Sequence, residues 1–559
     1  MGMVVNLRHI GLAPERYLRF ILFPTLVSSL ILFLIIVLLL QQIASIFGPF
    51  AVLLYFIPLI MLSIAVLYPK MLEVRMKNEI ENNIHLYITH LGALATSEID
   101  RKQMMDIISK RKEYRALAEE TRKIYLLMSK WNRNLAQACR FLAKRTPSKI
   151  FGDFLDRMAH ELDSGEDFKE FIKREQKVVV NAFATLYQGK LYSIDVFKEI
   201  YVSIVLSLSF FAAFAIIMPF LTGISITTTL YLVIIFFVII EIGVILYLKA
   251  VAPEDPLWQT SGEITTVDRK LYRLFMTFMV VCLIVFTALL FGQFVFGVID
   301  LPPSFIMSIS ITPLIIPGFI ARREEKIIEG KDKNAPSFIM SLGASASARG
   351  GNTLESLKYL TAHDFGALTQ DIRALYKRLN TRINKRRAWE KFAIDTNSNL
   401  IYRFTDMFVE AIGLGSDPKD VAEIISDNFI TMNNLRVRRA QTSSSFVGIA
   451  YGVIIGIAFS LYISFGVVQS MSSLYSSLDV TSEFIGSLLY IVPEEDMNMV
   501  HGMIFFILLF HAILSSISIK IMDGGRFMSG LVHMVGMTWF AAISGYLSEK
   551  VITSLLQIS

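Results

Sequence analysis

FGDFLDRMAHELDSGEDFKEF, residues 151–171, and YRFTDMFVEAIGLGSDPKDVAEI, residues 402–424, read as two copies of one element. Phe154 matches Phe404, Asp156 matches Asp406, Gly165 matches Gly415 and Asp167 matches Asp417, at an offset of about 250 residues. Each copy is a helix, a glycine turn and a second helix. Gly165 and Gly415 suit the left-handed position that closes a helix. Asp167 and Asp417 suit the N-cap of the next helix, and Pro418 suits its first turn. Upstream, Leu91-Gly92-Ala93 matches Leu342-Gly343-Ala344.

Outward from these elements lie two charged segments, 69–200 and 321–443. Neither shows the period-2 alternation of strands, and both carry apolar residues at helical spacing. In Arg122–Lys144, the residues Ile124, Leu127, Met128, Trp131, Leu135 and Cys139 share one face of an expected helix. Both segments therefore read as antiparallel helix bundles. Their charges run 24 basic to 19 acidic in the first and 20 to 15 in the second. So mild an excess gives no reason to expect nucleic acid as a partner.

The rest of the chain is apolar. Of 559 residues, 54% are hydrophobic and only 18% charged, against about 25% charged in ordinary soluble domains. A membrane-crossing helix needs about 20 apolar residues. Nine runs qualify: Phe20–Leu40, Phe50–Tyr68, Tyr201–Leu221, Thr229–Leu248, Phe275–Phe296, Phe305–Ile320, Phe446–Val468, Val500–Ile521 and Phe527–Leu547. The sixth is short and holds Pro313 and Pro317, so a kink or a tilt is expected. The first is too long for a cleaved signal peptide. The fold class is therefore all-α: a polytopic membrane protein with nine transmembrane helices and two homologous helix-bundle domains.

Placing the N-terminus in the cytosol puts 53 of the 54 Lys and Arg inside and leaves only Lys550 outside, with the C-terminus. The outer loops Gln41–Pro49 and Thr222–Thr228 carry no charge. The outer loop Gln469–Met499 carries Asp479, Glu483, Glu494, Glu495 and Asp496, and its Met471–Ile491 stretch suits an amphipathic helix on the leaflet. The expected organisation is 1–68, an N-terminal segment and first pair of spans; 69–200, cytosolic domain 1; 201–320, four spans; 321–443, cytosolic domain 2; and 444–559, three spans. The repeat is direct, unlike the inverted repeats common in alternating-access transporters.

No GxxxxGK[ST] sequence occurs. Gly189-Lys190 and Gly330-Lys331 lack the upstream glycine and the following hydroxyl, so nothing cradles a nucleotide phosphate. HExxH, CxxC and GxSxG are also absent. No catalytic residue, cofactor or metal site is expected, and the two cysteines, Cys139 and Cys282, lie in segments too different to pair. The basic cluster Arg378, Arg382, Lys385, Arg386, Arg387 and Lys391 is a candidate docking face for an acidic partner, or else a solvated face near anionic lipid. Arg436, Arg438 and Arg439 precede the seventh span and read as juxtamembrane cations facing lipid. Glu241 and His511 are ionisable groups inside spans and functional candidates. Alternatively, Glu241 reaches water or pairs with Lys249, and His511 bonds a neighbouring helix. Gly448, Gly452 and Gly456 give overlapping GxxxG spacing: a dimer seam, a groove for another apolar helix, or packing within one protomer. Ala212, Ala213 and Ala215 offer a similar small-residue face.

Two helical domains with a glycine-turn core in a multispan chain resemble the type II secretion F family. The likeness is carried by Ala335-Pro336-Ser337-Phe338, Leu342-Gly343 and Arg349-Gly350-Gly351-Asn352-Thr353-Leu354, and by the turn Lys520-Ile521-Met522-Asp523-Gly524-Gly525-Arg526. Nine spans resemble the archaeal branch, which serves archaella and archaeal pili. Residues His90–Ala116 depart from the pattern, lacking the Arg-Gly-Gly-Asn turn. The resemblance implies a non-enzymatic platform, a homodimer or similar small oligomer in the lipid bilayer. Its implied partners are a hexameric archaellum secretion ATPase of the FlaI/ArlI type, an accessory ATP-binding protein of the FlaH/ArlH type, and archaellin filament subunits. It implies coupling of ATPase motion to filament assembly and rotation. An archaeal type IV pilus or type II secretion platform is the near alternative; an ion-coupled transporter or stator is the distant one.

Overall fold

The computed structural model describes residues 13–39, 55–222, 226–295, 297, 301–381, 384–477 and 494–557. Arg8, Arg382, the Gln41–Pro49 loop, Asp479, Glu483 and most of Met471–Ile491 lie outside the described residues. Every named element is helical, and one isolated bridge joins Trp258 to Ser398. Among the described residues, nine helices are long and apolar enough to span a membrane, and each overlaps one of the nine runs read from the sequence.

Two compact units result. One comprises the described residues up to Phe183 with Glu410–Asn428; the other comprises Ala184–Val409 with Phe429 onward.

In the first unit, α1 (Pro14–Leu38) and α2 (Phe56–Ala95) pair through buried hydroxyls: Tyr17 donates to the Ala65 carbonyl at 2.7 Å and Ser29 to the Pro58 carbonyl at 2.9 Å. At 1.5 Å per residue α2 is about 60 Å long, twice the hydrocarbon thickness. Beyond its apolar run, Ile84, Tyr87, Ile88 and Leu91 follow an i, i+3, i+4, i+7 stripe and are fully buried. Against this stripe pack α3 (Arg101–Ser109), α4 (Ala116–Lys130), α5 (Leu135–Ala143), α6 (Lys149–Ser164) and the first turns of α7 (Phe168–Thr222). Phe151, Phe154, Leu155 and Met158 fill the centre, each contributing about 1.5–3 kcal/mol by burial.

One expected helix is two. The Arg122–Lys144 pattern breaks after Lys130, where Asn132 takes a positive φ of 50° and Asn134 caps α5 by accepting from the Gln137 amide at 2.8 Å. Trp131 sits at this corner, 71% exposed, rather than in the core.

In the second unit, α8 (Ile226–Val251), α9 (Thr266–Phe294), α10 (Pro303–Ile311), α11 (Ile315–Ser347), α16 (Pro418–Ser477), α17 (Glu494–Asp523) and α18 (Phe527–Gln557) supply the apolar spans with the end of α7. Burial ranks them: 67% of the apolar window of α17 is buried but only 6% of that of α9, so α17 is central and α9 peripheral. The proline-bearing sixth span is kinked. A 3₁₀ turn at Thr312–Leu314 separates α10 from α11, because Pro313 cannot continue the helical ladder. Trp539 fixes the kink by donating to Thr312 at 2.9 Å.

The lobe of this unit is built from the end of α11, α12 (Thr353–Leu360), α13 (Thr369–Asn380), α14 (Lys385–Asp395), α15 (Asn399–Gly413) and α16. Its core includes Phe338, Phe392, Phe404 and Phe429, with Phe404 and Phe429 rings 4.9 Å apart. The element order of the first copy thus recurs in the second, including a 3₁₀ turn at Lys112–Tyr114 and at Gly366–Leu368. Gly165 and Gly415 are left-handed, at φ 79° and 91°. Asp167 and Asp417 cap the following helices by accepting from Lys169 and Lys419 amides, each at 2.9 Å.

Candidate functional site

In the second unit, the turn Lys520–Arg526 is the floor of an ionic cluster. α17 ends at Asp523, and Gly524 reverses the chain at φ 83°. Arg439 on α16 reaches into that reversal, donating to the Met522, Ile521 and Asp255 carbonyls at 2.6, 3.0 and 2.9 Å. It is 4% exposed. A Cβ on Gly524 would stand 2.7 Å from the Arg439 guanidinium, and one on Gly525 would stand 2.5 Å from the Glu325 carboxylate. A Cβ at either position would force the charged group to shift, and Gly524 is also favoured by its left-handed backbone.

Glu325, on α11, receives Lys520 at 3.2 Å, the Arg526 amide at 2.7 Å and the Trp258 indole at 3.4 Å. Arg526 lies over the Trp258 ring, 3.9 Å from its centroid, and pairs with Asp268. Asp268 closes a capping box with Thr265 at the start of α9.

One turn of α16 earlier, Arg436 grips Asp255 with two parallel bonds of 2.7 Å and Asp332 with a third of 2.7 Å. A bidentate fork of this kind needs arginine. Asp332 also accepts from Ser398, whose oxygen caps α15 through the Ile401 amide at 3.1 Å. The Gln259 and Asn399 amides clip the Trp258 segment to the start of α15, at 2.9 and 3.1 Å to Asn397 and Leu257 carbonyls. The helical lobe of this unit is thus tied, through charged and capped groups, to the adjoining ends of α9, α11, α16, α17 and α18. Arg436 and Arg439 do not face lipid as the sequence suggested. Buried carboxylates and carbonyls hold them; only Arg438 is exposed.

The first copy carries a counterpart. Ser148 caps α6 and donates to Glu81 at 3.4 Å, as Ser398 caps α15 and donates to Asp332. Within the first unit, Glu410–Asn428 from the second copy packs on elements of the first. Glu410 takes His90 at 2.8 Å and Arg111 at 2.6 Å. Lys169 meets Asp420 at 2.7 Å and Lys173 meets Glu423 at 3.1 Å. Asn428 donates to Thr89 at 2.8 Å, and Gln176 to the Ile424 carbonyl at 2.7 Å. Burial pushes the Glu410 carboxyl up, but the His90 hydrogen bond and the charges of His90 and Arg111 outweigh it and bring the pKa down to about 2.

Inside the spans, Glu241 of α8 and His511 of α17 are brought together. His511 Nδ1 lies 2.6 Å from Glu241 Oε1, both fully buried. Ser515 sits 3.4 Å from the other imidazole nitrogen and 3.1 Å from the Tyr201 hydroxyl. Among the described residues Glu241 therefore pairs with His511 rather than with Lys249.

The remaining sequence candidates separate. Lys385, Arg386, Arg387 and Lys391 form an exposed face on α14. Arg378 is partly withdrawn, paired with Asp395 at 2.5 Å, and Lys391 reaches the same carboxylate at 3.4 Å. Arg382 lies outside the described residues. A Cβ on Gly448, Gly452 or Gly456 would meet nothing within 4 Å among the described residues. The tight glycine contacts lie elsewhere: Gly318 meets Val532, and Gly536 and Gly545 on α18 meet Tyr451 and Tyr462. Ala212, Ala213 and Ala215 are buried.

Comparison with known proteins agrees with this architecture. Residues 87–216 match the family described as type II secretion system (T2SS), protein F. The match falls on the first copy, including the stretch without the Arg-Gly-Gly-Asn turn. The chain is 38% identical over 557 residues to flagella accessory protein J of Methanocaldococcus jannaschii and 39% identical over 556 residues to that of Methanococcus voltae. Each alignment covers 99% of this chain and 98% of the relative. No solved structure matches. An all-α membrane protein with two glycine-turn lobes and full-length relatives of this kind belongs to the flagella accessory protein J family of type II secretion F-like membrane proteins.

Proposed function

We propose that this chain is the non-enzymatic membrane platform of an archaellum, coupling a hexameric secretion ATPase and its accessory ATP-binding protein to archaellin assembly and filament rotation. The observation that carries this reading is the Arg436–Asp332–Asp255 cluster with the Arg439 turn, which fastens a helical lobe to the ends of membrane helices. A platform must receive force on a soluble part and pass it to its spans. The chain has no phosphate-binding loop of its own, which fits a separate ATPase. The relatives are named for flagella, which favours an archaellum over a pilus or type II secretion platform.

In this reading the N-terminus and both lobes are cytosolic and the C-terminus is outside. The exposed face Lys385, Arg386, Arg387 and Lys391, with Arg378 and Arg382 beside it in sequence, steers an acidic surface of the ATPase. Gly448, Gly452 and Gly456, which meet nothing within 4 Å among the described residues, form the seam of a homodimer. Co-purification tests the docking face: Lys385→Glu/Arg386→Glu/Arg387→Glu is expected to reduce ATPase retained by full-length platform at least tenfold, with filaments lost. Unchanged retention contradicts it. A second reading, an ion-coupled stator, rests on the buried Glu241–His511 pair. It requires that Glu241→Gln abolish motility while platform insertion and ATPase retention stay normal.

A further inference from the structure

In the second unit, α8 packs along α17. It buries a stripe from Ile226 to Leu248 at three- and four-residue spacing, and Glu241 is the one polar member of that stripe. Its partner His511 lies at the middle of the apolar run of α17. Apolar stripes alone set the register of two spans weakly. Lipid tails are as apolar as leucine, so a slide of one turn exchanges one apolar contact for another. A buried polar pair makes that slide costly, because every displaced setting leaves a hydrogen-bonding group in the apolar layer without its partner.

The His511 ring is enclosed by aromatic faces. Tyr201 of α7 lies parallel to it with centroids 6.4 Å apart, and Phe237, one turn before Glu241, meets it edge-on at 5.9 Å. The Tyr201 hydroxyl reaches Ser515, one turn after His511, so α7 joins the same polar chain. Other ionisable groups turn elsewhere. The apolar runs of α7 and α16 hold no Asp, Glu, Lys, Arg or His. On α17, His501 and Lys520 stand ten and nine residues from His511, about 15 and 14 Å along the axis. His533 of α18 meets the Tyr451 ring, 6.1 Å away.

One proton is shared across the 2.6 Å between Glu241 and His511. Whether it sits on the imidazole or on the carboxyl, the pair is neutral as a whole. Gaining or losing a proton would leave a net charge buried among apolar helices, which is costly.

We propose that Glu241 and His511 form a charge-neutral lock that fixes the register of α8 on α17, extended to α7 by Ser515 and Tyr201, and that no ion passes through it. The lock does not rest on the platform reading.

Pulsed electron resonance on the full-length protein in detergent tests it. Spin labels sit at Leu246→Cys on α8 and Phe506→Cys on α17, both exposed, with Cys139 and Cys282 replaced by Ala. The unaltered pair is expected to give one narrow distance. Glu241→Gln is expected to keep it, because the amide oxygen still accepts from His511 Nδ1, and Glu241 Oε2 has no partner to lose among the described residues. Glu241→Leu/His511→Leu is expected to widen the distribution at least twofold even where it melts like wild type. The exchanged pair, Glu241→His/His511→Glu, is expected to restore the narrow distance. A narrow distance in the double leucine variant, or a broad one in Glu241→Gln, would overturn the lock. Loss of motility in Glu241→Gln with the distance unchanged would overturn it too, since the amide keeps the hydrogen bond and removes only the exchangeable carboxyl proton. If the double leucine variant does not insert, Glu241→Gln and the exchanged pair still decide.

Discussion

Arg436 donates to Asp332 across 2.7 Å, joining a membrane-entering helix to the helix that leads into the lobe. The same guanidinium holds Asp255 on the connection between α8 and α9. Removing one member of a buried ionic group leaves its partners charged and unpaired, typically at about 3–5 kcal/mol. Arg436→Met is therefore expected to lower the detergent-solubilised melting temperature sharply. Arg436→Lys recovers part of the loss, because an ammonium cannot form the fork. A melt unchanged by Arg436→Met would show that the cluster is not structural.

The turn makes a steric prediction. Gly524→Ala places a Cβ against the Arg439 guanidinium at a φ that disfavours side chains. It is expected to destabilise by about 1–3 kcal/mol and to abolish motility in cells that still insert the protein. Gly452→Ala meets open space and is expected to melt like wild type. Gly452→Ile, with equal folding, is expected to shift the dimer fraction in crosslinking; an unchanged fraction removes the seam.

How much of this was readable beforehand depends on distance along the chain. The nine spans, the kink at Pro313, the left-handed Gly165 and Gly415 and the Asp167 and Asp417 caps are local, and composition and period reveal them. Arg436 could not be read, because a cation before a span looks the same whether it faces lipid or buried carboxylates. Glu241 and His511 were each visible, but nothing in the sequence says that α8 and α17 are neighbours. Trp131 was misplaced because helical spacing continued through Asn132, whose left-handed turn outweighs the pattern. The insertion of Glu410–Asn428 among elements of the first copy has no local signature. Its one hint was the repeat itself, which sets Lys169 and Lys173 against Asp420 and Glu423 at near-equivalent positions.

Glu410 gives a pH prediction. Its folded pKa, about 2, lies below the ordinary 4.5, so the unfolded chain binds its proton first as pH falls. The stabilisation is present in full above about pH 4.5 and lost on acidification toward about 2. Melting curves of wild type and Glu410→Gln are expected to converge through that window and to differ most near neutrality. Parallel curves across it would show that His90 and Arg111 do not hold the carboxylate.

The intramembrane pair is open to a double-mutant cycle. Glu241→Leu leaves His511 without its partner and is expected to destabilise. Glu241→Leu/His511→Leu replaces both polar groups with apolar ones and is expected to recover much of the loss. Additive effects would mean that the 2.6 Å contact carries no coupling.

Rigid attachment of the lobe to its spans is measured most directly as a distance. Spin labels at Lys385→Cys on α14 and Phe527→Cys on α18, both exposed and in the same unit, with Cys139 and Cys282 replaced by Ala, report it by pulsed electron resonance. The account predicts one narrow distance that Asp332→Ala broadens. A broad distribution already present in the unaltered cluster would contradict it.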